Sequence, residues 1–379
     1  MTVRIINADV LDGLAQLEDE SVHCVVTSPP YWGLRDYGVD GQIGLEATPN
    51  DFVNRMVEVF REVRRVLRKD GTCWVNLGDS YAGSWGAQSR GELPGERSKL
   101  SGGQVYAAPK GTHTGSMKRV PGLKPKDLIG IPWRVAFALQ SDGWWLRADI
   151  IWHKPNPMPS SVRDRPTPAH EYLFLLTKSA RYAYDADAIA EPASWNPAKT
   201  KMPDGWDTGP GGHGTIHRQG REKGRKNSAI SSATPERRRG HERKHQGFNE
   251  RWDQMERAEQ CSGMRNKRSV WTVPTAPFPE AHFATFPPEL PELCIKAGCP
   301  IGGTVLDPFG GSGTTGLVAD RLQRNAILIE LNPEYAEMAR RRIANESGLF
   351  TSVQVTEPAE AQTEREHEPT LISLMEAAE

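Results

Sequence analysis

The chain has 379 residues, 37% of them apolar, with 36 glycines, 29 prolines and a net charge of −1. That length suits one large α/β domain with insertions or two ordinary domains, and the composition predicts long polar loops around a compact core. The composition excludes two classes: no apolar run approaches the roughly 20 residues that span a bilayer, and five cysteines without a CxxC pair fit no disulfide framework. Reduced thiols in a cytoplasmic protein are expected, and the N-terminus lacks a basic-then-apolar signal pattern. The near-neutral total hides segregation. Ten Lys/Arg stand against three Glu between His217 and His245, and seven Glu against one Arg from Thr351 to Glu379.

In chain order, apolar runs and alternation predict strands at 3–7 and 22–27. Helical spacing of Phe52, Val53, Met56, Val57, Phe60, Val63 and Leu67 predicts a helix over 52–68, ended by Gly71, with a strand at 72–77. A helix over 128–140 with Pro132 in its first turn precedes strands at 146–153 and 173–177. Strands at 304–306 and 326–330 alternate with helices over 316–323 and 333–345. Seven strands alternating with helices imply a mostly parallel sheet covered on both faces. Three stretches break the pattern: 82–126 is rich in Gly, Ser and Lys, 195–268 is polar and basic, and 351–379 is acidic. Partial disorder without a ligand is expected in all three.

Asp307-Pro308-Phe309-Gly310-Gly311-Ser312-Gly313-Thr314-Thr315-Gly316 lies between a predicted strand and helix and contains a GxGxxG pattern. The glycines permit a tight turn and close ligand approach. Glu330 ends the next strand, where its carboxylate can accept hydrogen bonds from ribose hydroxyls. The spacing suits a nicotinamide dinucleotide and S-adenosylmethionine alike. Asp307 favours the second, because a carboxylate suits a ligand carrying an ammonium and is a poor neighbour for a pyrophosphate.

Ser28-Pro29-Pro30-Tyr31 follows the strand at 22–27. An exocyclic base amine is a poor nucleophile, since its lone pair is delocalised into the ring. The Ser28 hydroxyl and the rigidly held Pro29 carbonyl offer two acceptors that would localise it. Tyr31 offers a ring face to a flipped base.

These motifs, in this order, resemble the amino-methyltransferases of DNA, the N4-cytosine and N6-adenine family, in its permuted beta class. The likeness covers most of residues 1–192 and 270–345. Trp152–Pro159 is similar to a family loop beside the target base, Leu67–Asp79 to another family segment, and His282–Pro287 to the segment that helps wall the methionine part of the cofactor. The resemblance implies a Rossmann-like α/β fold using S-adenosylmethionine, divided into a catalytic part at 1–192 with a loop insertion at 82–126, a target-recognition insertion at 193–269, a cofactor part at 270–345 and an acidic tail at 346–379. It implies that Ser28, Pro29, Pro30 and Tyr31 hold the amine. Asp307, Phe309, Gly311, Gly313, Thr314 and Phe286 would shape the methionine pocket, Glu330 would hold the ribose, and Asp9 would lie near the adenine. Ser at the first motif position goes more often with N4-cytosine than with N6-adenine in the family. Double-stranded DNA is the implied partner. A cognate restriction endonuclease and either a monomer or a homodimer are compatible with it.

Phosphate contacts are expected from Arg218, Arg225, Lys226, Arg237, Arg238, Arg239, Arg243 and Lys244. C5-cytosine methylation is disfavoured, because it uses a Cys nucleophile, typically in a Pro-Cys pair, and the chain has none; Cys24 falls in a buried strand. His241 and His245 lie one helical turn apart, but without partnering Cys or acidic ligands no metal is expected. Trp144, Trp145 and Trp152 fit a DNA cleft or the core, and Arg163-Asp164-Arg165 fits a phosphate contact or a local ion pair. The rival functions are a nicotinamide-dependent oxidoreductase, for which no hydride-transfer constellation is evident, and a DNA-binding protein on an inactive methyltransferase fold.

Overall fold

Val22–Thr27 (β2) is buried along nearly its whole length, as expected of a central parallel strand covered on both faces. In this computed structural model the described residues are 1–34, 38–82, 122–160, 162–193, 264–275, 286–347 and 351–356. They form two compact units, residues 1–188 with 268–379, and residues 189–267. Within the second unit, Glu191–Pro192 (β6) pairs antiparallel with Met264–Arg265 (β7), and Arg265 forms an ion pair with Glu191 at 2.9 Å.

The first unit is built on Thr2–Asn7 (β1), β2, Leu67–Leu77 (β3), Trp145–His153 (β4), His170–Thr177 (β5), Val270–Thr272 (β8), Thr304–Asp307 (β9), Asn325–Glu330 (β10) and Ser352–Thr356 (β11). Among the described residues these make a nine-stranded sheet in the order β11-β1-β10-β9-β2-β3-β5-β4-β8. Pairings are parallel except that β5 is antiparallel to both β3 and β4. All seven expected strands are present, and β8 and β11 extend the sheet at its two edges. β11 lies in the segment read as the start of the acidic tail.

Among the described residues the α-helices are Val10–Ala15 (α1), Pro49–Val66 (α2), Ile131–Ser141 (α3), Glu289–Gly298 (α4), Thr314–Arg321 (α5) and Pro333–Glu346 (α6). Helix α2 starts where the Thr48 hydroxyl accepts from Asp51 N and Pro49 occupies the first turn. It buries Phe52, Val53, Met56, Val59, Phe60, Val63 and Val66, the stripe expected of a helix facing a core. Alternate strand residues serve opposite faces. Ile6, Val25, Val75, Leu306 and Ile329 share a core with the buried residues of α1, α2 and α3. On the other face Leu328 lies against Gly316 of α5, and Cys24 and Trp74 lie against Gly298 of α4.

Gly71 does not end α2. The helix stops at Val66, Leu67 turns extended with ψ 135°, and Gly71 lies inside β3. A Cβ there would come within 2.5 Å of Leu67 Cδ1. The β2–β3 register shifts between Val22 and Cys24 to absorb residues 68–71, so this glycine admits a bulge instead of capping a helix.

Candidate active site

Parallel pairing of β2 with β9 (Cys24 with Val305, Val25 with Leu306) sends Ser28–Tyr31 and the 307–316 loop off the same sheet edge. This is the edge at which open α/β sheets bind ligands. Asp307 is 1% exposed. Its Oδ1 accepts from Thr27 Oγ1 at 2.7 Å and from Phe309 N at 3.1 Å, and its Oδ2 accepts from Thr315 Oγ1 at 2.7 Å. One carboxylate thus joins the end of β2, the turn after β9 and the first turn of α5. Burial pushes it up to about 7, against the hydroxyl and amide donors that favour its charge.

Glu330 ends β10 beside this loop. Its Oε2 accepts from Gly311 N at 2.7 Å and its Oε1 from Asn332 N at 2.9 Å. Burial raises its pKa as well. Among the described residues no cation pairs with Asp307 or Glu330. Two desolvated acids without a cationic partner suit a ligand that brings its own positive charge and oppose a pyrophosphate.

The glycines divide their work. Gly311 has φ +49° and donates its N–H to Glu330. Gly313, at φ +77°, precedes α5, and a Cβ there would fall 2.9 Å from Ala339 Cβ on α6. A Cβ on Gly316 would meet Leu328 at 2.9 Å. Gly313 and Gly316 therefore let α5 pack, whereas Gly311 supplies a left-handed turn that aims its N–H at Glu330. Thr314 is buried, and its hydroxyl accepts from Arg342 at 3.0 Å and bonds Ser312 at 3.3 Å. Phe309 and Phe286 are half-buried. Asp9 caps α1 by accepting from Leu11 N at 2.9 Å.

At the amine-pocket motif, Pro29 is buried while Ser28, Pro30 and Tyr31 are half-buried. The Tyr31 ring lies on Gly78, whose absent side chain makes the contact possible, since a Cβ there would sit 2.6 Å from Tyr31 Cε2. The Tyr31 hydroxyl donates to Glu171 Oε2 at 2.7 Å and accepts from Asn76 Nδ2 at 2.6 Å. Ser28 Oγ lies 3.5 Å from it. Asn76 Nδ2 also reaches Glu171 Oε2 at 2.7 Å, and Lys154 Nζ pairs with Glu171 Oε1 while lying 4.3 Å from the Trp152 ring centre. Burial, and then the Glu171 charge, push the Tyr31 phenol well above its ordinary value. Tyr31 therefore stays protonated. The sequence points to Asn76 only as a member of the Leu67–Asp79 segment and carries no sign of Glu171 beside Tyr31.

Trp144 and Trp152 are core residues, 2% and 3% exposed, whereas Trp145 is 50% exposed. Asp164 pairs with Lys126 at 2.6 Å, and Arg165 lies 3.9 Å over the Tyr81 ring. Cys24 is buried in β2, and burial raises its thiol far above the ordinary value, which makes it a poor nucleophile. Arg218, Arg225, Lys226, Arg237, Arg238, Arg239, Arg243 and Lys244 lie outside the described residues, as do His241, His245 and His282–Thr285.

A family model described as DNA methylase, of N6 and N4 type, matches residues 22–341. The chain is 42% identical over 345 residues to the type II methyltransferase M.SmaI of Serratia marcescens, covering 90% of each protein. It is also 42% identical over 347 residues to M.Cfr9I of Citrobacter freundii, covering 90% of this chain and 88% of that one. Among solved structures, a putative DNA modification methylase of Thermus thermophilus, complexed with S-adenosyl-L-methionine, superposes with a TM-score of 0.51 at 23% identity over 94% of this chain and 99% of that one. The cytosine-N4-specific PvuII DNA methyltransferase gives 0.50 at 19% identity over 93% and 96%. At these identities the structural likeness speaks to the fold, an α/β methyltransferase sheet. The extent of the family match and the identity to the curated relatives decide the membership: the chain belongs to the N6/N4 family of DNA methyltransferases.

Proposed function

We propose that this methyltransferase transfers a methyl group from S-adenosylmethionine to the exocyclic amine of a base flipped out of duplex DNA, at N4 of cytosine. The observation that carries the reading is the parallel pairing of β2 with β9, which starts Ser28–Tyr31 and Asp307–Gly313 from adjacent strand ends. The motif order, amine pocket first and cofactor loop near the C-terminus, resembles that of the permuted beta class.

S-adenosylmethionine supplies an electrophilic methyl on a positively charged sulfur. Glu330 holds the ribose hydroxyls through lone pairs not used by Gly311 and Asn332. Asp307, enclosed by Thr27, Thr315 and Phe309, acts from beneath the loop as negative potential for the cationic cofactor instead of as a direct ion pair. Phe286 and Phe309 wall the methionine end, Gly311 admits it, Gly313 and Thr314 shape the loop from behind, and Asp9 borders the adenine. Ser28 Oγ and the Pro29 carbonyl accept from the amine N–H groups and draw its lone pair out of the ring system. Tyr31 receives the base against its ring. No strong general base is needed, because the amine becomes acidic once methylated. The cationic residues from Arg218 to Lys244 neutralise DNA phosphates. As in a type II modification system, a cognate endonuclease is the expected companion.

Mass spectrometry of DNA from a host expressing the chain tests this. N4-methylcytosine in one sequence context is the expected product, lost with Ser28→Ala combined with Tyr31→Ala. N6-methyladenine would transfer the reading to adenine, and an active double variant would remove the assigned pocket.

A further inference from the structure

Glu171 enters the site from β5, the antiparallel strand, and no part of the methyl-transfer scheme yet uses it. Its Oε2 accepts from both Tyr31 and Asn76, and its Oε1 accepts from Lys154. The hydrogen-bonding capacity of the Tyr31 hydroxyl is fully assigned by these contacts. It has one proton, directed to Glu171 at 2.7 Å, and two lone pairs, facing Asn76 Nδ2 at 2.6 Å and Ser28 Oγ at 3.5 Å. The Asn76 orientation is forced, because its carbonyl oxygen in place of Nδ2 would face a carboxylate.

A hydroxyl facing Ser28 can lend it either a proton or a lone pair, and the two have opposite consequences. If Tyr31 donated to Ser28, a serine lone pair would be occupied and the serine proton would turn towards the incoming amine. With the Tyr31 proton committed to Glu171, the serine proton turns towards Tyr31 and both serine lone pairs remain for the amine N–H. The 3.5 Å separation is long for an O–H···O bond, and such contacts tighten when substrate enters.

We propose that Glu171 is a positioning residue for methyl transfer: by taking the Tyr31 proton it sets the direction of the Ser28–Tyr31 hydroxyl chain, so that Ser28 meets the target amine as an acceptor. Lys154 holds the carboxylate in place through its other oxygen, so Glu171 orients the chain as a fixed acceptor. The inference rests on the amine-pocket reading above.

Glu171→Gln is the informative change. Lys154 demands an acceptor, so the glutamine carbonyl turns to it and the NH2 turns to Tyr31. The phenol can no longer donate there, and the chain reverses towards Ser28. The glutamine NH2 would also oppose Asn76 Nδ2. All proteins compared therefore carry Asn76→Ala, so that no amide can turn over and take the phenol proton instead. Single-turnover methyl transfer to duplex DNA should slow roughly 10- to 100-fold with little change in DNA or cofactor affinity. Tyr31→Phe should slow it comparably. The double variant Glu171→Gln/Tyr31→Phe should be no slower than Tyr31→Phe alone, since Glu171 acts through the phenol; a merely structural role would give multiplicative losses and a lowered melting temperature in both backgrounds. An unslowed Glu171→Gln, or multiplicative losses, would overturn the proposal. Ser28→Ala separates the two levels. If it keeps full activity, the amine-pocket reading fails. If it is inactive while Glu171→Gln is not impaired, only the role of Glu171 fails.

Discussion

Thr27 Oγ1 donates to Asp307 Oδ1 at 2.7 Å across 280 residues of sequence, and both side chains are 1% exposed. This bond ties the strand that leads into the amine pocket to the strand that leads into the cofactor loop. Thr27→Val keeps the volume and removes the donor. A buried acceptor that loses one partner costs about 1–3 kcal/mol, and the loss should appear as a lower denaturation midpoint together with weaker S-adenosylmethionine binding. Weakened stability with unchanged cofactor affinity would show that the bond supports the fold without shaping the site.

Asp307 carries a pH signature. Its carboxyl is pushed up to about 7 in the folded chain from an ordinary 3.8, so the folded state binds the proton more tightly than the unfolded state. Through this group stability is greatest below about 4 and declines as pH rises towards 7, then levels off. Cofactor binding should follow the opposite course, strengthening from about pH 6 to about 7.5 as the carboxylate forms beneath a cationic ligand. Asp307→Asn should flatten both dependences, as read by denaturant titration and calorimetry across that range. Persistence of either slope in the variant would assign it to another group.

The Tyr31 ring and Gly78 form a second pair that tolerates no added atom. With a Cβ 2.6 Å from Tyr31 Cε2 and 3.1 Å from Cδ2, Gly78→Ala must displace the ring or the β3 exit. Methyl transfer should fall at least about 10-fold, since small displacements in positioned groups have large rate effects. Cofactor affinity should hold, because the Asp307 and Glu330 contacts do not involve Gly78. A full rate in Gly78→Ala would mean that the ring position is dispensable.

The parts of the candidate site that stand out in the sequence are those in which irregular residues interrupt a strong pattern. Ser28–Tyr31 and Asp307–Gly313 stand at the ends of apolar strands, where prolines and glycines have no packing explanation of their own. Their adjacency was not legible, because the pairing of β2 with β9 joins segments 280 residues apart and no local signal sets it. Glu171 was hidden because β5 begins at His170, ahead of the apolar run at 173–177, in two polar residues without strand character. Gly71 misled for the reverse reason: glycine after a helical stripe resembles a cap, and only the β2–β3 register reveals a bulge. The alternation Ser352-Val353-Gln354-Val355-Thr356 was a usable period-two signal for β11, obscured by the acidic composition around it. At three residues, β8 offers no periodicity to read.

Glu330 tests the other half of the site. Each carboxylate oxygen accepts one main-chain N–H, from Gly311 at 2.7 Å and Asn332 at 2.9 Å, which leaves each oxygen lone-pair capacity for a further donor. Glu330→Gln keeps the shape and has one acceptor oxygen. Its NH2 must then oppose either Gly311 N–H, disturbing the cofactor loop, or Asn332 N–H, disturbing the start of α6, where Asn332 itself accepts from Glu334 N at 2.8 Å. Removing a desolvated acid relieves some burial cost, so the melting temperature should change little. S-adenosylmethionine affinity should fall roughly 10- to 100-fold, through lost ribose acceptors and a shifted Gly311. Calorimetric titration of S-adenosylmethionine against both proteins, beside their thermal melts, separates the two effects. Equal affinities would remove Glu330 from the cofactor site and leave it a purely structural bridge between the loop and α6.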